Sequence, residues 1–140
     1  MENEHIDIAN IGTDTASTGI AQIMVSSAGE NCIVIIPGAN AAVDETFALN
    51  KINVACSECT RTGAPKPVLL CQNEIPLETT LAAILCASDN GMRSIFNPAP
   101  APVENISGLF RKLRQHRADI VCPNETELAA LTGISTGKQC

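Results

Sequence analysis

The chain has 140 residues, 45% of them hydrophobic, and a mean hydropathy of +0.13. That is enough for one folded domain with a core, and too apolar for a disordered segment. Nine Lys and Arg stand against fifteen Asp and Glu, a net charge of −6, which argues against a nucleic-acid or anionic-membrane partner. With three Phe and neither Trp nor Tyr, stacking on bases has little to work with, and the core must come from Ile, Val, Leu and Ala.

No apolar run approaches the roughly 20 residues that cross a bilayer, and the acidic start is unlike a signal peptide. A cytoplasmic location is expected. Two apolar runs at residues 19–25 and 32–36 predict a β-hairpin around a 26–31 loop, where Gly29 can take positive φ. Along the first run Ile20, Gln22 and Met24 alternate with Ala21, Ile23 and Val25. Neither face is polar, and a sheet apolar on both faces usually needs a second cover.

After residue 42, a helix is expected from residue 43 to about 59, with Phe47, Ile52, Val54 and Ala55 on a poor period, then a loop over 60–67 around Gly63, Pro65 and Pro67. From residue 68 short apolar runs alternate with helical patterns. Strands are expected at 68–71, 93–96 and 119–122. Helices are expected at 76–90, ended by Gly91, at 106–116, and at 125–131, closed by Gly133. Three successive strand–helix units predict an α/β fold with a parallel sheet. Three strands also leave open edges and an uncovered face, as part of a larger sheet would.

In an open parallel sheet, ligands bind beyond the carboxyl ends of the strands. The segments there are Gln72-Asn73-Glu74, Asn97-Pro98-Ala99-Pro100 and Pro123-Asn124-Glu125-Thr126-Glu127. Glu74 has two readings, an acceptor for sugar hydroxyls or a solvated loop acid leading into a helix. Asn124 and Glu127, three apart at a helix start, have the spacing of a capping box. The same helix start can face phosphate, with the acid positioning Mg²⁺ through water.

Other features carry less. Arg111, Lys112, Arg114, His116 and Arg117 read as a solvated helix face rather than a phosphate site. His5 and His116 lack a nucleophile partner, and the glycosylation patterns at Asn105 and Asn124 mean little without a secretory signal. Of seven cysteines, Cys32, Cys71, Cys86 and Cys122 have apolar settings, Cys140 is terminal, and Cys56 and Cys59 form one CxxC spacing without the further ligands of a zinc site. There is no phosphate loop, nucleophile elbow or dinucleotide fingerprint.

At Thr18-Gly19, Gly29-Glu30-Asn31, Gly38-Ala39-Asn40-Ala41-Ala42, Gln72-Asn73-Glu74, Phe96-Asn97-Pro98-Ala99-Pro100-Ala101, Pro123-Asn124-Glu125-Thr126-Glu127 and Leu131-Thr132-Gly133-Ile134, the chain resembles ribokinases of the phosphofructokinase-B-like carbohydrate kinase family. The likeness runs from about residue 5 to 135. It implies a partial ribokinase-like fold, parallel βα units with a β-hairpin lid, divided into a lid-like region over 1–42 and a partial α/β kinase core over 43–140. In the full-length enzyme it implies ATP-dependent phosphorylation of D-ribose to ribose 5-phosphate, with Mg²⁺, stimulation by a monovalent cation such as K⁺, and a homodimer formed through the lid. Glu74 corresponds to a sugar-hydroxyl contact, although many members have Leu where this chain has Asn73. Asn124 corresponds to an ATP-phosphate contact and Glu127 to the residue that orders Mg²⁺ through its waters.

The chain departs from the family pattern as well. A Gly-Gly-Lys-Gly-Ala-Asn sugar segment and the Gly-Ala-Gly-Asp segment that supplies anion hole and base are not in it. No catalytic residue is therefore assigned, and the 140 residues alone are expected to be inactive. Residues 50–66, with Cys56, Cys59 and Pro65, also fit the pattern poorly, as an insertion would. The rival readings are a fructokinase-like or adenosine kinase-like member of the family, and a non-catalytic module that pairs through its hairpin.

Overall fold

The structure is a computed structural model that describes residues 4, 6–100 and 106–134, with 106 and 107 as backbone only. His5, Ala101, Asn105 and Cys140 lie outside the described residues. The chain forms two compact units, Met1–Ala42 and Val43–Cys140.

In the first unit, β1 (Ile20–Val25) and β2 (Asn31–Ile36) pair antiparallel, with Ile20 opposite Ile36 and Val25 opposite Asn31. The five-residue loop closes through Ser26 N–H to the Glu30 carbonyl at 2.8 Å and Gly29 N–H to the Ser26 carbonyl at 3.0 Å. Gly29 takes φ 86°, which a residue with a Cβ adopts only with strain. Beyond β2 a 3₁₀ helix spans Gly38–Ala42. Here two chain segments meet backbone to backbone. A Cβ on Gly38 would lie 2.3 Å from the Ser17 carbonyl oxygen, and one on Gly19 would lie 2.6 Å from that of Pro37. Every residue of both strands is exposed.

The second unit runs α1 (Glu45–Thr62), β3 (Val68–Gln72), α2 (Leu77–Asp89), β4 (Arg93–Asn97), α3 (Ile106–Gln115), β5 (Ile120–Val121) and α4 (Glu125–Thr132). The sheet is parallel in the order β3-β4-β5. Helix α1 runs three residues past the predicted end. Asp44 starts it by accepting the Phe47 N–H at 2.7 Å, and Gly63 stops it at φ 71°. Its last turn is held by the Thr60 and Thr62 hydroxyls, which donate to the carbonyls of Cys56 and Glu58. Both prolines of the expected loop fall after the stop, so they leave the helix intact. Residues 50–62 are thus helix, and Ile52 and Cys56 are buried in it.

One face of the sheet is covered. Leu81 and Ile84 of α2, Phe96 of β4, Leu109 and Leu113 of α3 and Leu131 of α4 form a buried cluster. A second cluster joins Ile52 and Cys56 of α1 to Ala83 and Ala87 of α2 and to Met92. Beneath them, buried Ser94 ties the amino ends of β4 and β5. Asp119 accepts from the Ser94 N–H at 2.8 Å and from its hydroxyl at 3.2 Å, while the Asp119 N–H donates to the Ser94 oxygen at 3.1 Å. Asp119 therefore serves this clamp rather than beginning the third strand. On the opposite face the register aligns Leu70, Ile95 and Ile120, and Leu70 is 64% exposed.

The basic stretch on and after α3 is a surface helix face, as its spacing predicts. Lys112 pairs with Glu78 and Arg117 with Asp89, and His116 Nδ1 lies 2.7 Å from the Lys112 carbonyl. Among the described residues, no helix is long and apolar enough to cross a membrane.

Candidate functional site

Parallel strands bring their carboxyl ends to one edge, and that edge gathers the polar segments of the sequence. β3 and β4 end in register, Gln72 opposite Asn97. Just after β5, the Cys122 N–H reaches the Phe96 carbonyl of β4 at 2.8 Å and carries the ladder one bond further.

After β3 the chain bends through residues 73–75 before α2. Asn73 anchors this bend to the segment after β4. Its N–H donates to the Ala99 carbonyl at 3.0 Å, and its side-chain Nδ2 donates to the Pro100 carbonyl at 2.8 Å. Glu74 follows, exposed, and among the described residues its carboxylate has no hydrogen-bond or ion-pair partner. It borders an apolar groove of about 270 Å³ between α1 and β3, lined also by Lys51, Ile52, Leu70 and Ile75. In the same strand, burial pushes the Cys71 thiol up to about 11.

After β5 the corner is built by Asn124 and Glu127. Asn124, with extended backbone at φ −76° and ψ 178°, is the N-cap of α4, and its Oδ1 accepts the Glu127 N–H at 2.8 Å. Glu127 reaches back. Its Oε2 accepts from the Asn124 N–H at 2.8 Å and its Oε1 from Asn124 Nδ2 at 2.9 Å. The capping box is complete, and Glu127 is only 8% exposed. A carboxylate can accept about four hydrogen bonds, so two of its acceptor positions stay free of the cap.

The structure thus joins the 73–74 bend to the 99–100 segment and Asn124 to Glu127. It shows no contact between Glu74 and Asn124. Their strands flank β4, two interstrand spacings or roughly 10 Å apart. Two groups at this edge had no assigned role in the sequence. Asn73 is marked in the sequence by its strand-end place and as a departure from the family pattern. Asn97 ends β4 with its Oδ1 buried and without a protein partner among the described residues; its place at a strand end and in the Asn97-Pro98-Ala99-Pro100 motif is the signal for it. Away from the edge, Cys56 is buried in the core and Cys59 half-buried one turn on. Among the described residues, no three His, Cys, Asp or Glu side chains are grouped as a metal would need.

The chain matches the model of the pfkB family carbohydrate kinases over residues 1–139. It is 35% identical over 138 residues to a ribokinase of Haemophilus influenzae, covering 97% of this chain and 40% of that protein. It is 36% identical over 121 residues to a ribokinase of Mus musculus, covering 86% and 33%. Among solved structures, an Arabidopsis thaliana ribokinase complexed with ribose and ATP superposes with a TM-score of 0.57 at 28% identity, covering 89% of this chain and 36% of that one. The chain thus spans about two fifths or less of the length of these relatives.

Proposed function

The chain belongs to the pfkB family of carbohydrate kinases, and from that premise we propose that it is the segment of a ribokinase that holds ribose at one strand end and the phosphate end of ATP at another. The observation that carries this reading is the shared edge. An exposed carboxylate without a partner among the described residues follows β3, and a capped helix start with an acid inside its cap follows β5. Glu74 accepts hydrogen bonds from sugar hydroxyls, for which a carboxylate fixed beside a strand end is well suited. Asn124 presents the positive end of α4 to phosphate.

The donor set at Glu127 fits Mg²⁺ held through its waters. Both carboxylate oxygens are occupied once by the cap, leaving acceptor positions suited to ordered water. When bound, Mg²⁺ there would supply neutralisation of the phosphate's charge. The cap holds the carboxylate in place and oriented. The transfer step also needs a base and donors for developing charge, roles that this reading assigns to none of the described residues. The hairpin is proposed as the lid that pairs with the lid of a second subunit, a role suited to strands apolar on both faces. K⁺ stimulation and a cytoplasmic location are part of the same reading.

The test is ADP release by the complete gene product with ribose, deoxyribose, fructose and adenosine. Ribose-dependent turnover is expected, with Glu74→Gln raising the ribose KM about tenfold, the ~1.4 kcal/mol of one charge-assisted hydrogen bond. A clear preference for another acceptor sinks the ribose assignment. A folded, ATP-silent protein that associates through residues 20–36 favours the interaction module.

A further inference from the structure

Asn73 lies on the edge described above, and neither the family likeness nor its spacing gives it a task. It makes two hydrogen bonds to a segment 26 and 27 residues away, one from the backbone to Ala99 and one from the side chain to Pro100. Helix α2 begins at Pro76 without a side-chain cap. Glu74, the next residue, has no partner of its own among the described residues. Where the Glu74 carboxylate sits is therefore decided by its backbone, and that backbone is held by Asn73.

We infer that Asn73 is a positioning residue for the sugar site, its side-chain bond to the Pro100 carbonyl fixing the bend that presents Glu74. This rests on the reading of Glu74 as a ribose contact. The physical case is one of preorganisation. A carboxylate on a bend free to move must be ordered when the sugar binds, and that ordering weakens binding. A bond from a half-buried amide to a carbonyl on the neighbouring strand's exit removes that cost beforehand. The amide is engaged by the Pro100 carbonyl, so its loss should weaken ribose binding and leave the phosphate end unchanged.

The test uses Asn73→Leu, which keeps the side-chain size and deletes the amide, together with Glu74→Gln and the double variant, all in the complete gene product. Asn73→Leu is expected to raise the ribose KM three- to tenfold, with kcat and the ATP KM within twofold of the parent. Amide hydrogen exchange at residues 72–75 and 97–100 should quicken. Because Asn73 acts through Glu74, the double variant should have the ribose KM of Glu74→Gln alone. Unchanged ribose KM in Asn73→Leu, with Glu74→Gln impaired, overturns the inference and leaves the sugar site standing. Effects that multiply in the double variant show an independent structural role and overturn it too. If neither single variant moves the ribose KM, the assignment of Glu74 falls and this inference falls with it. Should Asn73→Leu unfold, Asn73→Ser, a milder loss of the same bond, is judged on the same split between ribose KM and kcat.

Discussion

The hairpin unit and the α/β unit are made from the same aliphatic side chains and treat them in opposite ways. Ile23 and Ile33, paired across β1 and β2, are 55% and 48% exposed, whereas Ile84 of α2 is fully buried. In β3 the alternation of side chains is resolved, with Leu69 and Cys71 turned toward the helices and Val68 and Leu70 away from them. In β1 and β2 it is not, because a two-stranded sheet has no layer of its own to lie on and is marginal without one. Hydrophobic content therefore does not decide burial. The presence of a packed helix on one side does.

The largest way to break that contrast is to open the core. Phe96→Ala removes a fully buried ring from the centre of the helix-covered face and should cost about 3–5 kcal/mol, read as a fall in the urea midpoint. Loss of less than half of that would mean that α2 and α3 do not depend on the sheet for their packing. Asn124→Ala deletes the N-cap and frees Glu127 from two of its bonds, an expected loss of about 1 kcal/mol. Hydrogen exchange should place that loss in α4. Smaller still is the effect of Ile33→Ser on folding of the α/β unit, expected within about 0.5 kcal/mol because the side chain is exposed. The same variant should abolish self-association in sedimentation, and unchanged association would break the lid reading.

A further effect appears only at high pH. Burial raises the Cys71 thiol from an ordinary 9.0 to about 11, so the folded state favours the neutral thiol. The stability this contributes is whole below about pH 9 and is lost as pH rises toward 11. Cys71→Val should therefore show a shallower fall in urea midpoint between pH 9 and 11 than the parent. Parallel curves would mean that Cys71 is open to solvent.

Much of this architecture could be read from short-range pattern. The apolar runs at 68–71 and 93–96 became β3 and β4, and Asn124 with Glu127 formed the box that a three-residue spacing predicts. Helix α1 ends later than expected because, of Gly63, Pro65 and Pro67, it is Gly63 whose left-handed backbone sets the stop. Asp119 was read as strand for its place before Ile120 and Val121, but its carboxylate answers to Ser94, 25 residues earlier.

What the sequence determined by itself is therefore what four or five neighbouring residues can specify: helix starts and stops, strand runs, the cap of α4 and the motifs that mark the family. Only the tertiary structure decided which face of the sheet is covered, that Asn73 holds the exit of β4, and that Lys112 and Arg117 spend their charge on Glu78 and Asp89. Those outcomes depend on partners 25 or more positions away. The approach of such partners is set by how helices pack on a sheet, a property of the whole unit that no local spacing contains.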